Sequence, residues 1–166
     1  MGKVLREFLR GWAGSVSRSK DDVIVSLKNG GPDPIAFGAP VFLGMYGGVV
    51  NFEDGVSTPD RFVGFAVRVP DKTPGSYPAG QDVAYAAGEY APNEPADILV
   101  RGSVAVPVNT SGAKAGDKVY IRAADGKLVT AAGESGTTVE LPNVTVRGAR
   151  DTGGNCEVTV TKRNLV

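Results

Sequence analysis

The sequence predicts an all-β fold: a small β-barrel or β-sandwich of about ten to twelve short strands, preceded by an N-terminal arm. Three observations carry this expectation. The 23 glycines and 11 prolines cut the 166 residues into pieces too short for most helices. Between them lie runs rich in Val, Ile, Phe and Tyr, side chains that suit a pleated surface. One stretch, "KVYIRAADGKLVTA" (118–131), sets two alternating apolar runs around Asp125-Gly126, a dipeptide suited to a tight hairpin turn.

The elements follow in order. "VIVSLK" (23–28) reads as the first strand, closed by the turn "NGGPDP" (29–34). "APVFLG" and "GVVNF", split by "MYGG", read as a hairpin. In "FVGFAVRV" (62–69), period two places Phe62, Gly64, Ala66 and Arg68 on one side and Val63, Phe65, Val67 and Val69 on the other. Residues 70–97 hold five prolines and three tyrosines and read as a long loop with one short strand near "DVAY". "DILVRGSVAVPV" (97–108) reads as a pair of strands with a bulge at Gly102. "TTVELPNVTVRGAR" and "CEVTVTKRNL" flank the turn "DTGGN" and complete the chain. Gly38, Val41, Phe42, Leu43, Gly48 and Val50 echo Gly116, Val119, Tyr120, Ile121, Gly126 and Leu128 at a constant offset, a faint repeat that reads as a duplicated hairpin or, in so Gly- and Val-rich a chain, as chance. The organisation is therefore an arm over 1–22 and a body over 23–166.

The arm is chemically distinct. Val4, Leu5, Phe8, Leu9 and Trp12 fall on one stripe of a helix, among Lys3, Arg6 and Arg10. Residues 1–20 hold five basic side chains against one acid, in a chain whose formal net charge is zero. A lone segment of this length is not a stable helix in water. Its apolar stripe needs a cover, and three are open: a partner protein, the chain's own body or a sister subunit, and a membrane surface. Phe8, Trp12 and Arg10 are the residue types that anchor interfaces.

The sequence excludes several chemistries. There is no histidine and one cysteine, Cys156. Ser-His-Asp and Cys-His nucleophiles are ruled out, as are Cys/His zinc sites and an internal disulfide. Cys156 reads as a small hydrophobe in a strand. "GAKAGDK" (112–118) lacks the spacing, the following Ser or Thr and the helix of a phosphate-binding loop. The acid pairs Asp21-Asp22 and Glu53-Asp54 read as exposed turn acids. Zero net charge argues against nucleic-acid binding, and no apolar run approaches the ~20 residues that cross a bilayer. The basic N-terminus lacks the uninterrupted apolar core of a signal peptide, so the sequons at Asn109 and Asn143 carry little weight. No catalytic residue, metal or cofactor is expected.

Three stretches, "FVGFAVRVPDKTPGSYP", "ILVRGSVAVPVNTSGAKAGDKVYIRAADGKLVTA" and "GNCEVTVTKRNLV", resemble the decoration, or cement, proteins of tailed-bacteriophage capsids. The resemblance covers roughly 23–166 and implies a small non-enzymatic β-barrel or β-sandwich. It would sit on the capsid exterior, bind the major capsid protein and stabilise contacts between its subunits, after assembly in the host cytoplasm. It implies a homo-oligomer, a trimer ahead of a dimer; the absence of nucleic-acid and membrane partners is expected from the charge balance and the lack of a long apolar run. The arm lies outside the resemblance, so Val4, Leu5, Phe8, Leu9, Arg10 and Trp12 are partner-binding candidates on physical grounds alone. The alternative is a carbohydrate-binding β-sandwich module on a virion or cell surface. There Tyr77, Tyr85 and Tyr90 stack on sugars rather than packing the loop against its own barrel.

Overall fold

A computed structural model describes residues 11–69 and 88–164. Among them are eleven strands and one 3₁₀ turn at Pro59–Arg61. The strands are β1 (Val16–Lys28), β2 (Ile35–Ala36), β3 (Pro40–Leu43), β4 (Val49–Val50), β5 (Phe62–Ala66) and β6 (Glu89–Tyr90), then β7 (Pro95–Pro107), β8 (Lys118–Arg122), β9 (Leu128–Val129), β10 (Thr138–Val146) and β11 (Asn155–Val160). Nine form one sheet, ordered β4-β3-β5-β7-β11-β10-β8-β9 with β1 added against β7. β2 and β6 form a separate pair. The sheet curls into a half-barrel. Its ends are tied back: Asn29 bridges Val49 and Val108 bridges Leu128. Both segments of the faint repeat form hairpins, at opposite ends of the sheet order.

β7 is the strand on which the others depend. β1 lies along it from Lys28↔Pro95 to Val16↔Val104. β5 pairs with Ile98 and Leu99 in its first half, and β11 pairs with Gly102 to Pro107 in its second. The expected pair of strands is thus one strand, and Gly102 is the point where it changes neighbours. Gly102 has φ +121, and a Cβ there would stand 2.1 Å from Asp22 Oδ1. Opposite it, β1 slips register between Arg18↔Ser103 and Val23↔Arg101, so residues 19–22 bulge out. The Asp22 carboxylate turns back and accepts the Ser103 N–H at 3.3 Å. Burial, with a smaller push from Asp21, raises its pKa above the ordinary carboxylate value.

This register also moves the boundary of the arm. β1 starts at Val16, not Val23, because the polar run "SRSKDD" is accommodated by the bulge. The chain is already tied down before that. Gly14 N–H donates to Ala105 at 2.8 Å, and the Gly14 carbonyl accepts from Arg68 N–H at 2.8 Å. Residues 16–22 therefore belong to the sheet, and Arg18 and Lys20 are sheet residues.

β5 is buried at all five positions because it separates two cores. Phe62 and Phe65 face one, with Phe42, Leu99, Val104 and Val158. Val63 and Ala66 face the other, with Ile35, Val41, Ile98 and Tyr90. Strict alternation would set Phe62 and Phe65 on opposite sides. The β3–β5 register jumps from Val41↔Gly64 to Phe42↔Phe62, so Val63 is an extra residue and the phase resets. The reset allows edge-to-face contacts between Phe42 and Phe62 at 5.7 Å and between Phe62 and Phe65 at 5.5 Å. Gly64 sits where β5 comes closest to β7: a Cβ there would lie 2.1 Å from the Leu99 carbonyl oxygen.

The later strands match expectation. Cys156 is buried in β11 opposite Val106. The β8–β9 hairpin turns at Asp125-Gly126, where Gly126 takes φ +67 and its N–H donates to Arg122 at 2.8 Å. Arg122 Nε donates to Asp125 Oδ1 at 2.9 Å, and this guanidinium holds the Asp125 carboxyl down at about 2.

Three outcomes follow. Gly64→Ala forces β5 off β7 and lowers stability by about 1–3 kcal/mol or more in urea unfolding, whereas Gly112→Ala, with open space around its Cβ, changes it by less than about 0.5 kcal/mol. Phe65→Ala empties the Phe42–Phe62–Phe65 cluster and costs about 3–5 kcal/mol. A carboxyl NMR titration finds Asp125 ionising near 2, and Arg122→Gln moves it up towards the ordinary value. Because the folded value is depressed, this pair supports the turn above the unfolded carboxylate range and is lost as pH falls through about 2.

Candidate partner-binding surface

Of the predicted arm residues, Trp12 is described; Val4, Leu5, Phe8, Leu9 and Arg10 lie outside the described residues. Trp12 marks the root of the arm. The Gly11 carbonyl accepts from Asn155 Nδ2 at 3.1 Å, and the Trp12 carbonyl accepts from Ser15 N–H at 2.9 Å. The indole is 44% exposed. The Arg68 guanidinium carbon stands 5.8 Å from the Trp12 ring centroid and 5.8 Å from that of Phe37. The cation lies over both rings, a desolvated geometry that favours attraction to the ring faces. Burial pulls the Arg68 pKa below its ordinary value. The arm thus leaves the sheet beside a half-open indole backed by a positive charge.

Tyr77 and Tyr85, and the short strand expected near "DVAY", lie outside the described residues. Tyr90 has no open ring face for a sugar. It is 1% exposed, its hydroxyl donates to the Val67 carbonyl at 2.6 Å, and its ring meets Phe37 edge-on at 5.4 Å. It packs against the barrel because β6 pairs with β2, Ile35 opposite Tyr90, and this turns the ring into the second core.

Sequence reading missed the most exposed apolar residues of the described chain. Tyr46 is 99% exposed and Met45 is 73% exposed at the apex of the β3–β4 hairpin. The apex is a defined turn: Gly44 N–H donates to Gly48 at 3.0 Å, and Gly47 and Gly48 take φ +87 and +74. Glycines are what such backbone angles require. The available signal was two large apolar residues placed inside a glycine turn, where solvated side chains are usual. Met45 also lines a cleft with Phe42, Phe52 and Val56, edged by Asp33 and Glu53. Arg61 reaches the same cleft, but its Nε is committed to the Leu43 carbonyl at 3.0 Å.

A second groove lies at the other end of β3. Phe37, Ala39, Pro40, Pro107 and Leu128 form its apolar floor, and Lys127 and Arg150 edge it. A third depression, at the β1 bulge, is lined by Arg18, Lys20, Arg101 and Arg147. Its charge is partly internal. Arg18 Nε donates to Glu157 at 2.6 Å, which raises the arginine's pKa, and Arg147 Nε donates to Thr159 Oγ1 at 2.9 Å.

"GAKAGDK" forms a turn into β8, with Lys114 N–H donating to Asp117 Oδ2 at 2.8 Å. Asp21 and Asp22 sit on the β1 bulge, and Glu53 and Asp54 in an exposed loop closed by the Glu53 carbonyl. No group of three His, Cys, Asp or Glu side chains able to hold a metal occurs among the described residues. The surface therefore offers aromatic and apolar anchors beside opposed charges, the chemistry of protein–protein contact.

Comparison with known proteins agrees. The family model described as Structural cement protein (E217 gp24/Pam3 gp6) matches residues 3–161. A chain in a solved structure titled "The capsid of Myoviridae Phage XM1" shares the fold, with a TM-score of 0.65 and 20% identity over 96% of this chain and 96% of that chain. No curated protein matches the chain. With nearly its whole length matched by one family model, this half-barrel with its tethered N-terminal root belongs to the structural cement protein family.

Proposed function

We infer that the protein decorates the outer face of a bacteriophage capsid, binds the major capsid protein and stabilises contacts between neighbouring copies of it. The observation that carries this reading is the match of a structural cement protein family over residues 3–161. The role is mechanical rather than catalytic, and its place is the virion after assembly in the host cytoplasm. A cement must hold several shell subunits at once, which a symmetric oligomer does by repeating one contact. Linked contacts raise apparent affinity by ~10²–10⁴ when all engage together.

Each copy contributes its arm, with Val4, Leu5, Phe8, Leu9 and Arg10 leading into Trp12. Trp12 is half open at the base and supported from behind by Arg68. An aromatic anchor with a fixed inner face and a free outer face loses little entropy when a partner covers it.

The test is co-sedimentation with undecorated shells. The truncation must stop before Gly11, because removing residues 1–20 would take the first part of β1 with it. The full chain pellets with shells. Deletion of residues 1–10 leaves the circular dichroism unchanged and weakens shell binding, and Trp12→Ala weakens it by at least ~30-fold, as expected of an interface anchor. Undiminished binding by both variants removes the arm from the mechanism, and failure of the full chain to bind any shell removes the function.

A further inference from the structure

We propose that copies of this protein join head to tail, with the Met45-Tyr46 hairpin tip of one copy seated in the Phe37–Pro40 groove of the next. This rests on the oligomeric state inferred above and supplies its geometry. The tip presents the two most exposed large apolar side chains of the described residues on a glycine turn hydrogen-bonded at its base. Exposed apolar groups of this size gain most from a site that is itself apolar and concave. The groove is one: Phe37, Pro40, Pro107 and Leu128 line it.

Charge selects this pairing. Asp33 and Glu53, against Arg61 alone, edge the cleft that Met45 lines, while Lys127 and Arg150 edge the groove, Lys127 with Asp125 Oδ2 3.9 Å from its Nζ. Docking sets the acidic side of one copy against the basic side of the next. The chain cannot make this contact with itself. Pro40, in the groove, opens β3, and the tip follows Leu43 at its far end, about 10 Å along the extended strand and beyond it on an exposed turn. Tip and groove lie at opposite ends of one strand, and a junction in which only one tip enters one groove is heterologous. Repeated, it closes into a ring if the rotation allows, and the trimer placed ahead of a dimer above would be such a ring.

A complementation experiment on the full-length chain tests this. The tip variant is Met45→Ser with Tyr46→Ser. The groove variant is Pro107→Glu with Lys127→Glu. All four positions are exposed, and circular dichroism checks that both variants fold. By analytical ultracentrifugation the unmodified chain sediments as an oligomer of the 17.1 kDa subunit. Each variant alone associates at least tenfold more weakly and sediments as a monomer. Mixed together they form a 1:1 dimer, because one intact tip meets one intact groove. A two-fold arrangement, in which the two copies exchange tips, would hold the unmodified chain at a dimer, so a dimeric unmodified chain also overturns the proposal. The proposal is overturned by a monomeric unmodified chain, by variants that keep its mass, or by a mixture that stays monomeric. It is also overturned if the tip variant keeps its mass but loses shell binding, which would assign the tip to the shell. Shell co-sedimentation is read separately, so a failed junction does not imply a failed decoration protein.

Discussion

The structure depends on a single strand shared between two cores. β7 carries β1 along its length and exchanges β5 for β11 at Gly102. Without a break in β7 its even-numbered side chains would all face the same core. The positive φ at Gly102 and the bulge at residues 19–22 bend the arrangement, so that Ile98 and Val100 serve one core while Val104 and Val106 serve the other. The turned-in Asp22 carboxylate is the cost of that junction. It fills the space a Cβ would take at Gly102 and gives up solvation to bond Ser103.

From this arrangement follows a body whose sheet is closed back on itself at both ends, by bridges at Val49 and Leu128. The arm root is hydrogen-bonded from Gly11 onwards, and Gly14 alone connects to β7 and to Arg68. Contact elements fixed to such a frame transmit more force to a partner than ones on a yielding loop. The β3–β4 tip and Trp12 are both mounted in this way, at places where the chain's own core gives them no full cover.

The two cores also explain an unusual distribution of aromatic residues. Phe42, Phe62 and Phe65 form one edge-to-face series inside the half-barrel, continued by Phe52. Phe37 and Tyr90 form another pair on the far side of β5, and Arg68 joins that pair to Trp12. The apolar interior and the arm root are therefore in physical contact through one cation and two rings.

Much of this was legible in the residues themselves. The all-β class, the Asp125-Gly126 hairpin, the last two strands and the buried Cys156 follow from glycine spacing, β-branched runs and turn chemistry, all of which act within a few residues. Only the tertiary structure decided the rest. It joined 95–107 into one strand through Gly102, put Phe62 with Phe65 by inserting Val63, drew residues 16–22 into the sheet, buried Tyr90 and left Tyr46 bare. Each of these depends on which distant strand lies alongside. Period and propensity are properties of a segment, whereas register and burial are properties of a pair, and no segment carries its partner's position.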